Sequence, residues 1–253
     1  MTTILLPPSE TKRAGGSDDA PLNLDGLALP VLAPQREAVV ASVVALSSDP
    51  VLAAKVLKLS PRQLGEIGVN AAIAAAPTMP AIDRYTGVLF DGLDAATLDG
   101  SARRWLGERV LIQTALLGPV GALDPIPSYR LAAGASVPGL GPLKRVWADA
   151  VGEAFGALPG LVVDLRSEAY AALGPVPDGV ASAYVRVVAE GPDGSVRALN
   201  HFNKKSKGLL VRRLAQRRPA IGSIAELVAW AETEGITMRP ADRAGEVELV
   251  ALA

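Results

Sequence analysis

Cysteine is absent from this chain of 253 residues, and histidine occurs once, at His201. Without thiols there is no disulfide framework, no thiolate nucleophile, no iron–sulfur ligation and no thiol-based redox sensing. One histidine is too few for zinc or non-haem iron sites of the usual kinds, and the acidic residues show no ligand-like spacing. No metal or other cofactor is therefore expected. Long hydrophobic runs are missing too: no apolar stretch is long enough to cross a bilayer, and MTTILLPPSE has neither the length nor the basic leader of a signal peptide. These absences predict a soluble, cytoplasmic protein without a membrane partner. An excess of either charge is lacking as well, since 25 Lys and Arg face 26 Asp and Glu, for a net charge of −1. Dedicated DNA-binding domains are usually basic throughout, so any phosphate binding here must come from a local patch.

With 49% apolar residues the chain can build a large core, and no Ser-, Gly- or charge-rich run reads as a linker, so residues 1–253 are expected to form one domain. Short β-branched runs alternate with amphipathic, Ala-rich stretches, the pattern of an α/β domain. Thr3 to Leu6, Val110 to Gln113 and Leu161 to Leu165 read as buried strands. Tyr184 to Ala189 and Ser195 to Phe202 flank Gly191-Pro192-Asp193-Gly194 and read as an antiparallel hairpin, and EVELVALA as a terminal strand. The sheet is therefore mixed, with flanking helices. Pro34 and Pro50 suit first helical turns; Ser223 with Glu226 and Ser60 with Gln63 match capping boxes. Residues 50 to 68 read as two short helices joined at Lys58-Leu59-Ser60.

Polar residues gather at apparent strand ends. The strand from Leu111 runs into a Gly/Pro-rich connection containing Asp124 and ending in Tyr129-Arg130, where Asp124 and Arg130 either serve a site or pair with each other. Val162 to Leu165 runs into Arg166-Ser167-Glu168-Ala169-Tyr170, where Ser167 is best read as a helix cap.

The strongest clue is HFNKKSKGLLVRRLAQRR, residues 201 to 218, which holds seven basic residues and the single histidine. It divides into a strand end at His201 to Asn203, a polar turn at Lys204 to Lys207 and a helix from about Gly208. Lys204, Lys205 and Lys207 then stand at a helix N-terminus, where backbone amides already favour anions. Arg212, Arg213, Arg217 and Arg218 need no ligand to explain them, and a lone His201 is more often structural than catalytic.

Several blocks together resemble the YaaA family of peroxide stress proteins: LLPPSETK at 5 to 12, YTGVLFDGL at 85 to 93, GPVGALDPIPSYRLAAG at 118 to 134, LKRVWADAV at 143 to 151, VVDLRSEAY at 162 to 170 and NHFNKKSKGLLVRRL at 200 to 214. The resemblance implies a cytoplasmic protein that protects against hydrogen peroxide through lower free iron, and a DNA partner held by a helix–hairpin–helix-like element and a positively charged cleft. On that basis residues 50–70 would hold the hairpin element, with Lys55, Lys58, Ser60 and Arg62 near the nucleic-acid backbone. Lys204, Lys205 and Lys207 would line the cleft with Tyr129 and Arg130. Where many members carry Ser-Pro-Ala-Lys, this chain has Pro7-Pro8-Ser9-Glu10, with Lys12 two positions on.

Two functions follow. One is a peroxide-stress protein that contacts DNA phosphates with little sequence preference and limits iron-dependent oxidative damage. The alternative is an enzyme acting on a small anionic or nucleotide-like substrate, with Lys205 or Lys207 and Arg130 on the anion and Asp124, Glu168 or Tyr170 as catalytic candidates.

Overall fold

The computed structural model describes residues 1–18, 20–190, 196–198 and 202–252. The first apolar runs form the middle of a sheet, β1 (Thr2–Leu6) beside β2 (Val110–Thr114). Next come β3 (Gly118–Gly121) and β4 (Leu161–Asp164). Every residue of β1, β2 and β4 is buried, which is why Ile4 to Leu6, Val110 to Ile112 and Leu161 to Val163 are consecutive apolar residues instead of alternating ones. The long β5 (Ser182–Glu190) pairs antiparallel with β6 (Val196–Ala198), Ala198 opposite Val188, as the expected hairpin requires. Its expected turn at 191–194 and His201 both lie outside the described residues. A final pair, β7 (Met238–Pro240) and β8 (Glu246–Val250), completes an eight-stranded sheet of order β7-β8-β5-β4-β1-β2-β3, with β6 attached to β5.

Strands β8, β5, β4, β1 and β2 are mutually parallel, while β3, β6 and β7 pair antiparallel. The sheet is thus mixed, as expected, and its parallel strands present their carboxyl ends along one edge. One difference is that Gly118–Gly121, read as part of a connection, is β3. It is the outermost strand, where Pro119 costs no ladder hydrogen bond.

Among the helices, α1 (Ala33–Leu46) and α2 (Pro50–Val56) each carry proline in the first turn, and the Asp49 carboxylate caps α2 by accepting from Val51 N and Leu52 N. The chain then turns at Lys58, φ 53°, through a 3₁₀ turn at Pro61–Gln63 into α3 (Glu66–Ala71). The first of the two short helices expected over 50 to 68 is α2; the second opens at Ser60 only as a 3₁₀ turn, in which Gln63 Oε1 accepts from both Ser60 N and Ser60 Oγ, and α3 begins later, at Glu66. Further on lie α4 (Ala81–Arg84), α5 (Val88–Leu93), α6 (Gly100–Arg109), α7 (Leu143–Gly156) and α8 (Glu168–Ala171). Helices α9 (Phe202–Arg217) and α10 (Ile224–Thr233) follow, the latter capped by Ser223 Oγ accepting from Glu226 N.

The start of α9 corrects the sequence reading. Lys204 to Lys207 are helical, not a turn, because no proline or turn pair interrupts the run from Phe202. Gly208, read as the helix start, sits inside the helix for a packing reason: a Cβ there would run into Leu89 O of α5. A Cβ on Gly92 of α5 would in turn lie 2.9 Å from Lys205 O. The two glycines let α5 and α9 cross backbone against backbone.

Candidate anion-binding site at the carboxyl edge of the sheet

The loop leaving β1 carries Lys12 into the interior. Residues 11 to 13 pair with 84 to 86: Thr86 N donates to Thr11 O, Arg13 N donates to Arg84 O, and Lys12 bridges to Tyr85. Arg84, fully buried, fixes this arrangement through carbonyls alone, donating to Arg13 O at 2.6 Å, to Pro77 O at 2.9 Å and to Ile126 O. The Lys12 ammonium comes to rest 4.2 Å from the Tyr129 ring centroid and 5.5 Å from that of Tyr85. Its hydrogen bonds are long, to Ser9 O at 3.4 Å and Glu10 O at 3.3 Å. Burial, and then the neighbouring Arg130 guanidinium, lower its pKa to about 8, against the opposing pull of Glu66 and Glu10.

Beneath Lys12, the Tyr85 and Tyr129 hydroxyls share a 2.7 Å hydrogen bond. Burial pushes both phenols well above their ordinary pKa. Arg130 is held by Asn70 of α3, whose Oδ1 accepts from Arg130 N and whose Nδ2 donates to Arg130 O. The guanidinium reaches Glu10 at 3.4 Å, a weak contact with an exposed carboxylate. Tyr170 of α8 faces the same group, its pKa pushed up to about 12 by burial and then by Glu10.

On the other side of α8, Asp164 at the end of β4 grips the fully buried Arg166 with paired bonds of 2.9 and 2.6 Å. Arg166 also donates to Gln113 Oε1 and Gly174 O, and Tyr184 Oη donates to Arg166 O. Asp164, Arg166, Lys144, Ser182 and Tyr184 border a cleft of about 440 Å³. Lys207 of α9, only 6% exposed, has its pKa lowered to about 8 by burial, with Asp164 raising it and Arg186 lowering it. Arg186 in turn binds Glu246 at 2.6 Å and Glu168 at 3.3 Å.

The fold therefore brings Tyr129, Arg130 and Tyr170 together around Lys12, with Glu168 and Lys207 on the far side of α8. It does not bring in Asp124, whose carboxylate accepts from Ala28 N and Gly121 N at 2.7 Å each, 3 residues from its own strand, and does not pair with Arg130. Ser167 occupies the N-cap of α8 but its side chain makes no capping bond. Lys55, Lys58, Ser60 and Arg62 are exposed along α2 and the turn after it, and Lys204 and Lys205 are exposed on the first turn of α9. Among the described residues, none of these five cations forms an ion pair. The later α9 arginines do: Arg213 and Arg217 both reach Glu234 at 3.0 Å, and Arg212 reaches Asp94 at 3.6 Å.

Lys12, Tyr85, Asn70, Asp164, Arg166 and Tyr184 were not singled out from sequence as site residues. Asp164-Leu165-Arg166, a carboxylate and a guanidinium at the end of an apolar run, was the available signal. No group of three or more His, Asp or Glu among the described residues is placed to hold a metal ion, and no described helix is long and apolar enough to cross a membrane.

The carboxyl edge of this mixed sheet thus gathers Lys12, Lys207, the Tyr85–Tyr129 pair and the anchored Arg130 and Arg166. Residues 2–241 match the family model described as peroxide stress protein YaaA. A UPF0246 protein of Corynebacterium glutamicum is 41% identical over 239 residues, covering 93% of this chain and 94% of its own. A UPF0246 protein of Streptomyces coelicolor is 42% identical over 230 residues, covering 89% and 87%. The chain belongs to the YaaA (UPF0246) family of peroxide stress proteins.

Proposed function

We propose that this peroxide stress protein binds DNA through its phosphates and so limits iron-dependent oxidative damage to it. The observation that carries the reading is the set of exposed cations without ion-pair partners among the described residues: Lys55, Lys58 and Arg62 on the α2–α3 hairpin, Lys204 and Lys205 on α9. In a protein of net charge −1, exposed cations left out of the internal pairing are available to an external polyanion. Asn70 of α3 bonds the Arg130 backbone and so ties this region to the loop that carries Tyr129 and Arg130. Such contacts fix position without reading bases, which suits protection of DNA at large. Any effect on iron is indirect in this reading.

Fluorescence anisotropy with labelled duplex DNA at low salt tests it. Binding by the wild type, weakened in Lys204→Ala/Lys205→Ala, is expected. A wild type that does not bind duplex DNA at low salt would sink the proposal.

A further inference from the structure

Lys12 is partly exposed and has no carboxylate in hydrogen-bond contact among the described residues. Lys207, by contrast, is closed off at 6% exposure and faces Asp164. The Lys12 stem is pinned where residues 11 to 13 pair with 84 to 86, and the Tyr129 and Tyr85 rings lie under the nitrogen. Four charged groups face it from the surrounding elements: Arg130, Glu66, Glu10 and Arg84. Only Glu10 among them is on its own loop.

A lysine fixed on an aromatic shelf beside a guanidinium has two uses. As a cation it adds to Arg130 in holding an anion. As an amine it is a nucleophile for carbonyl carbon, provided a fraction is uncharged. At its lowered pKa of about 8, about a quarter is uncharged at pH 7.5, against about one part in a thousand for an unperturbed lysine. Arg130, whose backbone Asn70 fixes, is placed to take a phosphate attached to the same substrate.

We infer that Lys12 is an imine-forming amine for an aldehyde that carries phosphate, with Arg130 on that phosphate. Resting on the DNA reading above, the substrate class is the ring-opened deoxyribose of an abasic site, an aldehyde flanked by phosphates that oxidative damage leaves in DNA. The uncharged Lys12 Nζ attacks the aldehyde carbon, forming a C–N bond and a carbinolamine. One nitrogen hydrogen passes to the carbonyl oxygen as the carbinolamine forms; the second leaves with that oxygen as water, and a C=N bond remains. No oxidant or reductant is consumed. Lys12 would be a catalytic residue, and Arg130 a substrate-binding one.

Duplex DNA containing one abasic site, incubated with the protein and then with sodium borohydride, reads this directly, because the hydride reduces an imine to a stable amine. The expected result is a covalent protein–DNA complex whose cross-linked peptide contains Lys12, absent with intact duplex and absent in Lys12→Arg, which retains the charge. Circular dichroism melting of Lys12→Arg establishes that the variant is folded. Anisotropy with the same duplex separates the two claims. Binding without a trapped complex, or a complex that maps to another lysine, overturns the inference and leaves the DNA reading standing. If neither intact nor abasic duplex binds, the DNA reading fails. Borohydride labelling with pyridoxal 5′-phosphate then decides the amine's part: selective labelling of Lys12 keeps it, and even labelling of exposed lysines overturns it.

Discussion

Asn70 holds Arg130 entirely by its backbone, with Oδ1 accepting from Arg130 N at 2.8 Å and Nδ2 donating to Arg130 O at 2.9 Å. One fully buried amide thus copies a strand partner and couples α3 to the loop that carries Tyr129 and Arg130. Asn70→Ala leaves both backbone groups without partners. A loss of about 2 kcal/mol in urea unfolding is expected, along with weaker DNA binding than the surface position of the hairpin alone would explain. Asn70→Ala with unchanged DNA affinity would show that the hairpin does not act through Arg130.

Gly208 and Gly68 make a matched pair of tests. A side chain at Gly208 would collide with Leu89 O, a backbone atom that moves only with α5, whereas the space around Gly68 in α3 is open. Gly208→Ala is expected to cost about 3 kcal/mol through overpacking. Gly68→Ala should be neutral or stabilise by about 0.5 kcal/mol, by restricting the unfolded chain. Equal effects in denaturant titration would contradict the close α5–α9 crossing.

Asp164 and Arg166 form the most deeply buried ion pair described, with Arg166 fully inaccessible. Asp164→Asn removes the countercharge and leaves the guanidinium in place. A destabilisation of about 3–5 kcal/mol is expected, the usual cost of one uncompensated buried charge.

Stability should depend on pH in two opposed ways. Lys12 and Lys207 have folded pKa values of about 8, below the unfolded value of 10.5, so between those limits the unfolded chain binds more protons. Stability therefore rises with pH from about 8. Tyr85, Tyr129 and Tyr170 have raised pKa values, so above pH 10 their phenols ionise in the unfolded chain first and stability falls. Chemical denaturation across pH 7 to 11 should show a maximum near pH 10. Lys12→Met should flatten its rising limb, and an unchanged rise would refute the burial of that ammonium.

The buried strands are legible because β1, β2 and β4 each contain a run of consecutive apolar residues, and the helix starts because Pro34, Pro50, Ser60 and Ser223 act locally. The start of α9 was misread because Gly208 resembles a boundary, when its lack of a side chain answers to Leu89 more than a hundred residues away. Lys12, Tyr85 and Tyr129 could not be grouped from spacing, since only the pairing of residues 11 to 13 with 84 to 86 brings them together. Asp124 was overvalued for the converse reason: its backbone partners, Ala28 and Gly121, leave no mark in the sequence.

The most direct measurement is the salt dependence of duplex binding, taken for the wild type and for a variant with Lys55, Lys58, Arg62, Lys204 and Lys205 all replaced by Ala. Phosphate binding by these side chains predicts a steep fall of affinity with salt in the wild type, and a slope reduced by about 0.9 for each contact removed in the variant. An equal slope in the two proteins would contradict the account, because the uncommitted cations of the hairpin and of α9 would then have no phosphate to meet.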